Sequence, residues 1–150
     1  MKNAHKIMPT TYFIILMALS MRMHFLCPIK KILYYPFTYF GFPLIVVGII
    51  LNLWTDRLFK KMKTTVKPFK DPKAFLTSGP FRISRHPMYL GMTSILLGVS
   101  IIQGTIITFL LPILFVIIME FLFIPFEENN LDRIFGLEYS DYKKKVRRWI

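Results

Sequence analysis

The sequence is poor in acidic residues and nearly devoid of cysteine. Only 8 of the 150 residues are Asp or Glu, against 20 Lys and Arg, and the single cysteine is Cys27. One cysteine cannot form an intramolecular disulfide or a multi-cysteine metal site. His86 has no second histidine at metal-ligand spacing, and the chain lacks a Ser-His-Asp order, a phosphate-binding glycine loop and a dinucleotide fingerprint. We therefore predict no metal site, and none of these catalytic classes applies.

Apolar residues are abundant instead. They make up 54% of the chain, and the mean hydropathy is +0.48, which is too apolar for an ordinary soluble domain of this size. The net charge of +12 comes from basic residues beside apolar segments. That placement suits anionic lipid head groups, so we predict a membrane protein that contacts membrane lipid and does not bind nucleic acid.

Four apolar segments are candidate membrane helices, which need about 20 residues to cross the hydrocarbon core, and the third of them is short. They predict an all-α, single-domain chain over 1–150, with spans at about 9–26, 34–54, 88–103 and 105–126. The third and fourth spans form a hairpin around Gln103-Gly104. Four spans place both termini and the basic loop 56–85 on one side. Most Lys and Arg residues lie there, so we predict a multi-pass protein with cytoplasmic termini.

Two polar segments lie at the predicted cytoplasmic ends of the hairpin. Ser78–Gly91 leads into the third span, and Glu127-Glu128 ends the fourth. Pro87 suits the first turn of a helix because it has no amide hydrogen to leave unpaired. The loop therefore delivers Arg85 and His86 to a helix N-terminus, where an anionic group is favoured. We predict that the two segments meet and form one site.

Glu120 is a third acidic position on the fourth span. In a regular helix it lies two turns before Glu127 on nearly the same face, about 10 Å away along the axis. A carboxylate at this depth is costly in lipid and should face protein, water or a cationic partner, for which Arg22 is a candidate. A buried ion pair that only fixes helix packing is the alternative interpretation.

The pattern of these residues resembles the isoprenylcysteine carboxyl methyltransferase family of integral-membrane, S-adenosylmethionine-dependent enzymes. The matching residues lie in Thr77–Gly91, which contains Arg85-His86-Pro87, and in Glu127–Val146, which contains Phe135-Gly136. The resemblance is strongest over 77–150. Phospholipid N-methyltransferases share the glutamate pair and the general plan.

The resemblance implies a cytoplasmic S-adenosylmethionine site and methyl transfer to a lipophilic acceptor. It implies that Arg85 and Glu128 are catalytic, orienting the acceptor or bracing the site. It implies that the cofactor is bound by Phe75, Leu76, Phe81, His86, Pro87, Met88, Tyr89 and Glu127.

Phe123 departs from the family pattern. Prenylcysteine-specific members carry there an arginine that faces the substrate carboxylate, a role that Arg85 could take here. We expect Phe123 at the substrate-binding site, and the acceptor stays open between a prenylcysteine, a phospholipid and a small thiol or amine. A buried carboxylate without a partner would be costly. Two other classes remain alternatives: a sterol-reductase-like enzyme that uses a reduced nicotinamide phosphate cofactor, and a membrane protein without enzymatic activity.

Overall fold

The described part of the chain is helical. The computed structural model describes residues 8–26, 30–63 and 75–150, and these ranges contain no strand, only one isolated bridge between Lys31 and Thr105. The α-helices are α1 (Pro9–Leu26), α2 (Gly41–Lys61), α3 (Pro87–Gln103), α4 (Ile106–Ile118), α5 (Ile124–Phe135) and α6 (Leu137–Lys145). Short 3-10 turns lie at Phe37–Phe40 and Gly79–Arg82, and a π-helical turn, Met119–Phe123, joins α4 to α5.

Among the described residues, two helical stretches, Phe37–Lys61 and Ile106–Phe135, are long and apolar enough to cross a membrane. Helix α3 is apolar but shorter. The predicted bounds of the third span agree with α3 to one residue, whereas the fourth continues past residue 126 to Phe135. The helix of the second span continues past Trp54 to Lys61, where Asp56 and Lys60 form an exposed i,i+4 ion pair that suits a helix end in water.

The α3–α4 hairpin turns at Gly104. Its φ of +68° is costly for other residues, and a Cβ there would lie 2.4 Å from the Leu33 carbonyl oxygen. The Gly104 carbonyl in turn accepts hydrogen bonds from the backbone of Ile32 and Leu33. The segment before α2 and the hairpin turn therefore lie together at one end of the bundle, and the start of α3 lies at the other.

The core lies between α1, α3 and α4. Leu16, Leu96, Leu111, Phe115 and Met119 form its buried centre. At the far end of α1, Ser20 donates a hydrogen bond of 2.8 Å to Gln103 on α3. This packing holds the starts of α3 and α5 at the same end of the bundle, where the polar segments meet.

Candidate functional site

His86 is the last residue before α3. Its backbone amide donates to the Ser84 hydroxyl at 3.1 Å, and Pro87 then begins the helix as the sequence predicts. Ser84 and His86 are both buried. The loop thus presents the imidazole at a fixed place at the helix end.

Glu127 joins the two predicted polar segments. Its Oε2 lies 3.1 Å from His86 Nδ1, and its Oε1 accepts a short hydrogen bond from the Tyr89 hydroxyl. The His86 and Tyr89 rings stack with centroids 5.6 Å apart and planes 9° apart. The prediction that the segments meet is confirmed, and both donors hold the same carboxylate.

Glu128 lies on the other side of His86 and is only 7% exposed. Its Oε1 lies 2.9 Å from an Arg85 guanidinium nitrogen and 3.6 Å from His86 Nε2, while its Oε2 lies 2.7 Å from Arg148. A buried carboxylate is costly unless it is paired, and two arginines meet that requirement here. The imidazole therefore stands between two carboxylates.

This placement changes the protonation of His86. Burial lowers its pKa, but the hydrogen bond to Glu127 and the negative charges of Glu127 and Glu128 together outweigh burial and raise the pKa above its ordinary value. The structure thus favours a protonated imidazole between the glutamates.

Glu120 pairs with residues near the C-terminus, and the prediction of Arg22 as its partner is wrong. Glu120 Oε1 accepts a hydrogen bond from Arg148, and Glu120 Oε2 accepts one from the Trp149 indole at 3.0 Å. The π turn inserts a residue into the helix and shifts its register. Glu120 consequently shares Arg148 with Glu128. The spacing of a regular helix had instead placed Glu120 on the same face as Glu127.

Arg148 and Trp149 are the site residues that the sequence did not single out. Six Lys and Arg residues follow the glutamate pair, and all of them looked alike as a basic tail. The one available signal was the unexplained charge of Glu120 at membrane depth, which requires some cation to reach it.

The loop before α3 is tied to α6 by aromatic packing. The Phe75 ring stacks on Phe135 with centroids 5.2 Å apart and meets Tyr139 and Tyr142 edge-on. Tyr142 donates a hydrogen bond of 2.6 Å to the Phe81 carbonyl, and burial raises its pKa to about 12, so it stays a neutral donor. Leu76 and Phe81 belong to the same buried cluster as Tyr139 and Tyr142.

The remaining predicted positions differ in their surroundings. Pro87 is buried and Met88 is partly exposed in the first turn of α3. Phe123 is 2% exposed and meets the Tyr12 ring of α1 edge-on, with centroids 5.6 Å apart. Phe123 therefore lies in the core against α1 and presents no charge.

Three buried polar atoms near the glutamates have no hydrogen-bond partner within the described ranges: Arg85 Nε, His86 Nε2 and the Tyr139 hydroxyl oxygen. The three carboxylates Glu120, Glu127 and Glu128 face two arginines and His86, so a protonated His86 balances their charge. Arg85 Nε and a protonated His86 Nε2 are spare donors that suit acceptor atoms of a ligand, whereas the partly exposed carboxylate of Glu127 suits a positively charged group. In residues 8–26, 30–63 and 75–150 no group of His, Cys, Asp and Glu is arranged to hold a metal ion.

Comparison with known proteins places the site within a matched region. A family model for phospholipid methyltransferase matches residues 37–138, which include His86 and both glutamates but neither α1 nor Arg148. An uncharacterised protein of Haemophilus influenzae is 40% identical over 63 residues, covering 42% of this chain and 100% of that protein.

Two rice proteins, from Oryza sativa subsp. indica and subsp. japonica, are each named probable protein-S-isoprenylcysteine O-methyltransferase. Each is 25% identical over 118 residues, covering 75% of this chain and 60% of the rice protein. The chain thus spans less than two thirds of the length of these rice relatives. No solved structure matches the chain.

Proposed function

The chain belongs to the phospholipid methyltransferase family, and from this premise we propose that it is an integral-membrane, S-adenosylmethionine-dependent methyltransferase with a lipophilic acceptor. The observation that carries the proposal is that His86 and Tyr89, at the start of α3, both form hydrogen bonds with Glu127. It assembles one polar site from two segments that are 38 residues or more apart in the chain.

The residues fit the cofactor chemically. S-adenosylmethionine carries an ammonium and a sulfonium, and when bound it would supply an electrophilic methyl group. Glu127 keeps acceptor capacity beyond its two hydrogen bonds, since a carboxylate has about four lone-pair sites. Its side chain is 20% exposed, so a ligand ammonium could reach it. The unpartnered Tyr139 hydroxyl and His86 Nε2 offer further polar contacts.

We assign the cofactor contacts by their position around Glu127. His86 and Tyr89 hold the carboxylate, and Pro87 and Met88 form the adjoining first turn of α3. Phe75, Leu76 and Phe81 supply an apolar wall that is fixed to α6 by Tyr139 and Tyr142. Such a wall excludes water, and a dry site strengthens the pull of a fixed carboxylate on a cation.

Arg85 and Glu128 are proposed to act on the acceptor side of the site. Arg85 pairs with Glu128 at 2.9 Å, and its Nε remains without a partner. One guanidinium can therefore brace Glu128 and still donate to an acceptor oxygen. Methyl transfer would depend on this positioning and on exclusion of water.

The surroundings of Phe123 favour an acceptor without a carboxylate. Its ring lies in the core against Tyr12, and Arg85 and Arg148 already pair with glutamates. A buried substrate carboxylate would find no cation at Phe123 and only the Nε of Arg85 as a spare donor, so its desolvation would be costly. A phospholipid amine is thus the favoured acceptor and an isoprenylcysteine carboxyl group the second candidate, with Phe123 packed beside the acceptor.

Cofactor binding tests the proposal directly. Purified protein in detergent should bind S-adenosylmethionine by isothermal titration calorimetry. Glu127→Gln should weaken binding by about tenfold or more, because it removes a charge-assisted hydrogen bond. Glu138→Gln removes an exposed carboxylate on α6 and serves as the matched control.

A wild-type protein that does not bind S-adenosylmethionine would overturn the proposal. Selective binding of a reduced nicotinamide phosphate cofactor would indicate a reductase instead. If Glu127→Gln binds as tightly as the control variant, the assignment of Glu127 is wrong.

A methyl-transfer screen tests the acceptor. Radiolabelled S-adenosylmethionine should label phosphatidylethanolamine vesicles and leave farnesylcysteine unlabelled. The opposite labelling pattern would assign carboxyl methylation and contradict the inference from Phe123.

A further inference from the structure

The last five residues, 146–150, lie across the site and are called the tail strap here. The Arg85 backbone amide donates to the Arg147 carbonyl at 3.0 Å, and the Ser84 hydroxyl donates to the Arg148 carbonyl at 2.7 Å. Both donors belong to the loop that delivers His86 to α3. The strap is therefore attached by its backbone to the segment that binds the glutamates.

One side chain of the strap, Arg148, contacts both Glu120 and Glu128. Arg148 Nε lies 3.2 Å from each Glu128 oxygen, another of its nitrogens lies 2.7 Å from Glu128 Oε2, and a third donates to Glu120 Oε1. Only a planar guanidinium has enough fixed donors to hold two carboxylates in this way. Trp149 completes the contact by donating to Glu120 at 3.0 Å and by packing against the core beside α4.

Glu120 gives the contact its energetic significance. Its carboxylate is the only charged group between residues 106 and 126, the segment that is proposed to cross the membrane, and the polar donors that reach it come from the strap. If the strap detaches, Glu120 loses Arg148 and Trp149 together, whereas Glu128 keeps Arg85 and His86. Detachment would therefore leave Glu120 poorly paired, which is costly.

We propose that Arg148 is a positioning residue that latches the tail strap over the cofactor site by pairing with Glu120 and Glu128. The proposal rests on the proposed function and adds to it a position beyond residues 37–138, the region of the family match. With the latch closed, Glu128 is held toward the strap and Arg85, which leaves Glu127 and its two donors for the ligand. Closure would retain the cofactor, so Arg148 acts on cofactor affinity more than on the methyl-transfer step.

The test compares Arg148→Gln with Lys145→Gln, a charge-removing control at an exposed position at the end of α6. Arg148→Gln should raise the KM for S-adenosylmethionine by about tenfold. It should change kcat by less than about threefold, as expected for lost binding that is equal in ground and transition states. Arg148→Lys should give a KM between those of the wild type and Arg148→Gln, because a lysine keeps the charge but cannot span both carboxylates. Lys145→Gln should behave as wild type.

A second readout does not depend on the cofactor. In a Trp54→Phe background Trp149 is the only tryptophan, so acrylamide quenching of its fluorescence reports whether the strap is docked. Arg148→Gln should increase quenching, and Lys145→Gln should not. Glu120→Gln should increase quenching as well. The double variant Glu120→Gln/Arg148→Gln should increase quenching by less than the sum of the two single variants.

The outcomes separate this inference from the proposed function. If the wild type binds S-adenosylmethionine but Arg148→Gln matches Lys145→Gln in KM and quenching, the latch is overturned and the methyltransferase stands. A fall in kcat with unchanged KM and quenching would also overturn the latch. A wild type without cofactor affinity would overturn the proposed function and the cofactor role of Arg148, whatever Trp149 shows. Circular dichroism and thermal unfolding of each variant identify any that fail to fold.

Discussion

At the scale of single residues, His86 is the centre of the site. It bonds to Glu127 through Nδ1, faces Glu128 with Nε2 at 3.6 Å and stacks on Tyr89. Its pKa is raised above 6.5 even though burial alone would lower it. A group whose pKa is higher in the folded state binds its proton more tightly there, and that difference stabilises the fold.

This linkage predicts how stability depends on pH. The contribution of protonated His86 should be fully present below about pH 6.5, its unfolded value, and should be lost as the pH rises through the raised folded value. His86→Gln removes the titrating group. We therefore expect the difference in free energy of unfolding between the wild type and His86→Gln to be largest at pH 6 and to decrease toward pH 9. The measurement is denaturant unfolding followed by circular dichroism.

A constant difference between wild type and His86→Gln from pH 6 to pH 9 would show that His86 gains no proton affinity on folding.

The sequence predicted the residues of the site better than their pairing. His86, Tyr89 and Glu127 were expected to meet because a helical hairpin returns the chain to the face that it left, and they do meet. The predicted pairing of Glu120 with Arg22 was wrong, because the observed pairing with Arg148 depends on a π turn and on the path of the tail. Neither feature has a hydrophobic period that a sequence can reveal.

At the scale of helices, α2 and α3 pack through paired glycines. Gly48 faces Gly91, and Gly41 faces Gly98, with the same seven-residue spacing on both helices. A Cβ on Gly48 would lie 2.5 Å from the Gly91 carbonyl oxygen, and one on Gly98 would lie 2.6 Å from that of Gly41. Small residues let helix backbones approach closely in a membrane, which is the role expected for these glycines.

Gly48→Ala should therefore destabilise the protein. The added methyl group meets a backbone oxygen that can move only if a helix moves, and overpacking of this kind costs about 1–3 kcal/mol. This exceeds the gain in helix propensity, which is at most about 1 kcal/mol. The change is measured as the free energy of unfolding in mixed detergent micelles.

Val47→Ile is the matched control, since it adds one methylene on the exposed side of the same helix. It should change stability by less than about 0.5 kcal/mol. Equal effects of Gly48→Ala and Val47→Ile would contradict the close packing of α2 and α3.

Helix bounds could be predicted where the sequence carries explicit stop and start residues. Pro87 and Gly104 bracket α3, and the predicted span 88–103 is nearly correct. The fourth span was expected to end at Phe126 because charges begin there. The helix instead continues to Phe135, since Glu127 and Glu128 find partners within the protein.

At the scale of the whole molecule, the helices alternate in direction between two ends. Tyr12 near the start of α1 contacts Phe123, and Ser20 farther along α1 bonds to Gln103 at the end of α3. Lys31 pairs with Thr105 at that second end. Four alternating spans with the termini, the basic loop and the candidate site in the cytoplasm remain our proposal for the topology, because the sequence puts most Lys and Arg residues in the segments that four spans would place on one side.

Cysteine labelling tests this topology. In a Cys27→Ser background, which contains no other cysteine, single cysteines replace Met62, Lys145 and Lys31, all exposed. Met62→Cys and Lys145→Cys lie at the site end and should react with a membrane-impermeant maleimide only after intact bacterial cells are disrupted. Lys31→Cys should react in intact cells, because it lies at the opposite end beside Thr105. Labelling of Met62→Cys and Lys145→Cys from opposite sides would rule out four spans, and labelling of both in intact cells would invert the orientation and place the candidate site away from cytoplasmic S-adenosylmethionine.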